Sequence, residues 1–186
     1  MAYLSRAELV AMGFKSVGER VLISDKASFY NLNLIEIGDD SRIDDFCLIS
    51  GRVAIGKHVH IAAYCNVAGG VEGVFFEDFS GLAYGCHVFS QSDDYTGRTM
   101  TNPTIPKKYK NETARKVTIG RHVIVGTGSL VFPGVCIAEG CSVGAMTMVT
   151  KSTQPWGCYF GVPAKRIKAR KQDILMLEKE FLSEKD

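Results

Sequence analysis

Several signals are scarce or missing in this chain. No apolar run approaches the ~20 residues of a membrane span, and the start MAYLSRAELVAMGF lacks the basic, apolar and cleavable regions of a secretory signal. The expectation is a cytoplasmic protein without membrane insertion, in which the Asn111-Glu112-Thr113 glycosylation triplet has no meaning. Lys and Arg number 22 against 20 Asp and Glu, a net charge of +2. That balance gives no argument for a nucleic-acid partner. The six cysteines include no CxxC pair, which argues for a reduced set rather than a disulfide or zinc framework. What is present is 186 residues, 46% of them hydrophobic and 23% charged, enough for one soluble domain with a real core.

The strongest positive signal is a beat of six. IGDDSR, IDDFCL, ISGRVA, IGKHVH and IAAYCN run without a gap from residue 37 to 66. FEDFSG, LAYGCH and VFSQSD follow over 76–93, then IGRHVI, VGTGSL, VFPGVC, IAEGCS and VGAMTM over 119–148. VGERVL and ISDKAS, from Val17 and Ile23, are earlier and less regular members. Each unit opens on a large apolar residue, Phe76 being the one that is not aliphatic, and a small or β-branched residue sits fifth. This period fits neither 3.6 nor 2. It fits a parallel β-helix, in which short strands form the sides of a coil and coils stack. The opening residue then points inward and the fifth fills a tight corner. Cys47, Cys65, Cys86 and Cys141 all hold that fifth place, so buried thiols are expected.

From Val17 to Lys168 the sequence resembles the hexapeptide-repeat acyltransferases, with VGAMTMVTKSTQPWGCYFGVPAKRIK (143–168) as the strongest local match. The branch it is most similar to holds the maltose and galactoside O-acetyltransferases and the sugar acetyltransferases of bacterial surface-polysaccharide assembly. The resemblance implies an all-β, left-handed parallel β-helix with three hexads per coil, a long excursion loop and a C-terminal α-helix. It also implies a homotrimer with acetyl-CoA in the grooves between subunits. The corresponding organisation is a partly helical segment over 1–16, a β-helix over 17–163 with a loop at 93–116, and a C-terminal helix over 164–186.

Three hexads per coil put Ile37, Ile55, Phe76 and Ile119 on a first side. Ile43, Ile61, Leu82, Val125 and Val143 fall on a second, and Ile49, Val67, Val88 and Val131 on a third. Both the short insertion at Gly69–Gly73 and the loop DDYTGRTMTNPTIPKKYKNETARK leave at the corner between third and first sides. Long loops on rigid repeats tend to carry function. The loop's basic end, Lys107 to Lys116, suits either an anionic ligand or plain solvation.

Carried over from the family motif, the acetyl-CoA contacts are Thr127, Ala145, Thr150, Lys151, Lys165 and Lys168. Thr127 and Ala145 are eighteen residues apart, which stacks them about 4.8 Å apart in neighbouring coils. Lys165, Arg166, Lys168, Arg170 and Lys171 offer charge for phosphates, or else the wet face of a helix whose apolar stripe is Ile167, Ile174, Leu177 and Phe181. Trp156 suits the end of the core better than an adenine. For the acceptor, the galactoside-type enzymes place a histidine at the start of the long loop, where this chain reads Gln91-Ser92-Asp93-Asp94. Three readings follow: Asp93 or Asp94 as base; His60 oriented by Asp94 of a neighbouring subunit; or an amine acceptor that needs positioning more than a strong base. His58, His87 and His122 read as ordinary surface histidines, with His122, which follows the loop, kept as a fourth candidate for the base. The acceptor class is a sugar or a nucleotide-linked sugar. Competing readings are a non-catalytic β-helix scaffold and a γ-type carbonic anhydrase, which needs three metal-binding histidines and finds no suitable spacing here.

Overall fold

The computed structural model describes residues 2–184. Strands of two or three residues wind into a parallel solenoid of about seven turns, and the register between them is that of the hexads. On the first side Val17, Ile37, Ile55, Phe76, Ile119 and Ile137 pair in sequence from coil to coil. The second side stacks Ile23, Ile43, Ile61, Leu82, Val125, Val143 and Tyr159. The third stacks Phe29, Ile49, Val67, Val88, Val131 and Val149. Nearly all of these side chains are buried. Each full burial of an aliphatic residue contributes about 1.5–3 kcal/mol, so the repeat of the sequence is also the repeat of the core.

The fifth place has a second use besides being small. Cys47 Sγ donates to the Ala62 carbonyl, Cys65 to Ala83 and Cys86 to Gly126, at 3.1, 3.1 and 3.2 Å. Ser41 and Ser129 do the same to Gly56 and Gly144 at 2.8 and 3.0 Å. A thiol or hydroxyl therefore satisfies a corner carbonyl of the next coil. Hydrogen bonds with Cys47 and Cys86, reinforced by burial, push the Cys65 thiol well up.

At one end, helix α1 (Arg6–Ala11) closes the solenoid. Ser5 and Glu8 form a reciprocal capping box, and Leu9 is buried against the lowest coil. The other end departs from expectation. The segment from 164 is not helical at its start: Lys165–Ala169 is a strand, antiparallel to Gly157–Phe160. The top coil presents a sheet edge with unpaired backbone groups, and the hairpin covers it. Helix α2 (Ile174–Ser183) begins only after that, so Ile167 belongs to no helical stripe.

Helix α2 docks on a column of corner residues with positive φ: Asp40, His58, Phe79, His122, Gly140 and Trp156. Each donates its backbone N–H to a carbonyl of the coil before it, as His58 does to Asp39. His58 and Phe79 stack at 4.8 Å, Phe79 and His122 at 5.4 Å, and Phe181 of α2 meets His58 and Phe79 edge-on. Trp156 tops the column; a Cβ on Gly140 would collide with its ring. His122 was expected at the surface. It is buried instead, because Ile174, Leu177 and Phe181 cover its corner.

His122 Nε2 lies 2.9 Å from Glu178 Oε2, which alone would favour the imidazolium. Burial and the nearby Arg121, which also pairs with Glu178, outweigh that and lower the His122 pKa. An unfolded histidine takes its proton near pH 6.5, the folded one only below that. The unfolded state thus binds more protons as pH drops through that window, and stability falls with it. Thermal unfolding from pH 8 to 5 is expected to show Tm declining below about pH 6.5, with a smaller decline in His122→Phe. A variant as pH-sensitive as wild type would contradict this assignment.

Candidate active site

At the corner between second and third sides, turns stack through backbone bonds. Gly85 N–H donates to Ala63 O at 3.0 Å, Gly128 to Tyr84 O at 2.9 Å and Met146 to Thr127 O at 2.8 Å. One column of turn residues therefore reads Asp45, Ala63, Tyr84, Thr127, Ala145. Thr127 and Ala145 are exposed neighbours, as their spacing requires. Gly126 lets these coils close, since a Cβ there would stand 2.6 Å from the Ala145 nitrogen. The hairpin lies one layer above, through pairing of Ser142-Val143 with Cys158-Tyr159. It carries Lys165 and Lys168, both exposed.

Thr150 and Lys151 fall elsewhere. They follow the last third-side strand, Met148–Val149, and are exposed at the corner leading back to the first side. One chain puts Thr127 and Ala145 at one corner, Lys165 and Lys168 on the hairpin above the second side, and Thr150 and Lys151 at another corner.

The outer surface of the second side holds a hollow of about 530 Å³ that runs from Tyr84, at the corner of Thr127 and Ala145, to His58, Phe79 and His122 beside helix α2. Small residues Ala62, Gly81 and Ala83 line it together with His60, Tyr84 and Ile124. His60 sits on the strand His60–Ile61, in register with Arg42 below and Gly81 above. Its Nε2 is 2.9 Å from Oδ2 of Asp44, a carboxylate only 3% exposed, whose Oδ1 accepts from Arg42 Nε at 2.6 Å. Burial works to raise the Asp44 pKa, but the hydrogen bonds from Arg42 and His60 prevail and hold it below the ordinary value. Asp44 is therefore ionised and accepts from Nε2–H of His60.

The long loop starts from a two-rung ribbon, Gln91–Ser92 against Thr113–Ala114, which fixes where Asp93 and Asp94 stand. These two line a pocket of about 450 Å³ with Tyr95, Gly97, Thr99 and Thr101. Asp94 accepts from Thr96 N–H at 2.9 Å and from the Thr96 and Thr99 hydroxyls at 3.0 and 3.1 Å. Those bonds, the Thr96 backbone first, lower its pKa. Asp93 Oδ2 accepts from Asn102 N–H at 3.1 Å, and the buried Lys110 lies 4.0 Å from its Oδ1. That buried Oδ1 has no hydrogen-bond partner among the described residues. Within one chain, then, His60 is oriented by Asp44 and Asp94 by its own turn. Asp44 escaped the reading of the sequence, though stacking the hexads would have found it: it lies sixteen residues before His60, one coil down and diagonal.

A solenoid of six-residue units, with a basic hairpin over a small-residue corner and polar pockets nearby, defines a hexapeptide-repeat acyltransferase, and the chain belongs to that family. The family model described as bacterial transferase hexapeptide (six repeats) matches residues 35–69. The dTDP-4-amino-4,6-dideoxy-D-glucose acyltransferase of Escherichia coli is 42% identical over 184 residues, covering 97% of this chain and 95% of that protein. A point mutant of AntD, an N-acyltransferase from Bacillus cereus, was solved with dTDP-4-amino-4,6-dideoxyglucose and coenzyme A. That structure superposes with a TM-score of 0.97 at 49% identity over 98% of both chains. A second AntD structure, with dTDP and 3-hydroxybutyryl-CoA, gives 0.97 at 48% identity over 98% of this chain and 97% of that one.

Proposed function

We propose that this protein transfers the acetyl group of acetyl-CoA to the amino group of a nucleotide-linked amino sugar, of the dTDP-4-amino-4,6-dideoxyhexose class. The observation that carries the reading is the meeting of the small-residue corner with the hollow that holds His60 and Asp44. The pantetheine arm runs along Ala145 and Thr127, and Lys165 and Lys168 meet the phosphates. The relatives that cover nearly the whole chain act on this acceptor class or bind it.

In this mechanism His60 Nδ1 takes a proton from the sugar ammonium, and the free amine attacks the thioester carbonyl. The C–S bond then breaks, and the leaving thiolate collects the second amine proton. His60 returns its proton to solvent. An amine needs less help than a hydroxyl, which suits a loop that bears aspartates in place of the family histidine. Asp93 and Asp94 hold the ammonium by charge, reaching the hollow of an adjacent subunit in a homotrimer. Thr150 and Lys151, stranded at another corner, complete the donor groove across the same interface. Free cysteines throughout suit a cytoplasmic enzyme, and the product suits surface-polysaccharide assembly.

Incubation with acetyl-CoA and a panel of amino and non-amino sugar nucleotides, read by mass spectrometry, tests this. The expected outcome is one acetyl added to the amino sugars alone. No acetylated product from any amino sugar would overturn it.

A further inference from the structure

We infer that Tyr84 sets the length of acyl chain that the donor site accepts. This rests on the proposed acyl transfer and identifies the part of that site that reads the acyl group. The corner column says where the thioester end arrives. Coils lie about 4.8 Å apart, so an extended arm that passes Ala145 and then Thr127 meets residue 84 at its next step. Tyr84 is the one aromatic residue among Asp45, Ala63, Tyr84, Thr127 and Ala145.

Its surroundings leave the ring standing out from the corner. Gly85 follows it in the turn, Gly128 donates its N–H to the Tyr84 carbonyl from the coil above, and Ala63 lies in the coil below. The residue is 60% exposed, yet it lines the same hollow as His60. It therefore stands where the donor corner opens into the hollow, on the side to which an acyl chain would extend. A two-carbon group stops short of this ring, whereas a longer chain runs into it. Small pockets reject longer chains by overlap, and one methylene in an apolar pocket is worth about 10- to 200-fold.

The test compares wild type, Tyr84→Ala and Tyr84→Phe by calorimetry with coenzyme A and its unreactive S-ethyl and S-hexyl thioethers. Wild type and Tyr84→Phe are expected to bind the S-ethyl form at least 10-fold more tightly than the S-hexyl form. In Tyr84→Ala that ratio is expected to collapse towards one, while affinity for coenzyme A itself stays the same. Equal binding of both thioethers by wild type, or an unchanged preference in Tyr84→Ala, would overturn the inference. Loss of coenzyme A binding by all three proteins would overturn it together with the donor site. Because no sugar is present, failure here is distinct from failure of the amino-sugar reading. A turnover arm with acetyl-CoA and hexanoyl-CoA is expected to show the same shift in relative kcat/KM, at least 10-fold.

Discussion

Ala145→Phe is expected to weaken coenzyme A binding by at least about 100-fold while leaving Tm unchanged. Ala145 is exposed at its corner, so the added ring meets no core atom and the solenoid has no reason to change. What it fills is the path of the pantetheine arm beside Thr127. Overlap of this kind costs about 1–3 kcal/mol for a few added methylenes in a packed site, and a full phenyl ring stands at the upper end. Titration calorimetry with coenzyme A measures it. Undiminished affinity in a folded Ala145→Phe protein would place the donor elsewhere on the molecule.

The second large effect concerns proton transfer. His60→Ala is expected to lower kcat by about 10²–10⁴-fold, the usual contribution of a positioned general base, with coenzyme A affinity unaltered. Asp94→Ala is expected to lower turnover about 100-fold through loss of the charge that positions the ammonium. Asp44→Asn offers a further check, because it leaves the bulk in place while removing the ion that fixes the His60 tautomer. Its pH–rate profile should change along with its kcat. If His60→Ala and Asp94→Ala both retained full turnover at saturating substrate, the assignment of both residues would fail.

The fold was legible in the sequence because a repeat of six has one structural meaning here. The apolar openers Ile37, Ile43 and Ile49 specified three sides, and every later register followed from them. The corner thiols were legible for the same reason. Contacts between layers were harder to read. Asp44 and His60 lie in different coils, and their pairing emerges only when hexads are stacked and read diagonally. His122 looked solvent-facing within its own unit, since nothing in IGRHVI announces that a helix fifty residues later will cover it. The C-terminal basic cluster misled in another way. Lys165 to Ala169 has the composition of a wet helical face, but the free edge of the last coil draws it into a strand. The donor candidates were visible as a motif, whereas their division between two corners and the hairpin became visible only in three dimensions.

Steady-state kinetics with acetyl-CoA and two matched acceptors tests the central claim most directly. The acceptors are dTDP-4-amino-4,6-dideoxyglucose and its 4-hydroxy counterpart, dTDP-6-deoxyglucose. The expected result is acetylation of the amino sugar with one equivalent of free coenzyme A released, at a kcat/KM at least about 100-fold above that for the hydroxy sugar. Equal use of both sugars, or acetylation of the hydroxy sugar alone, would contradict it.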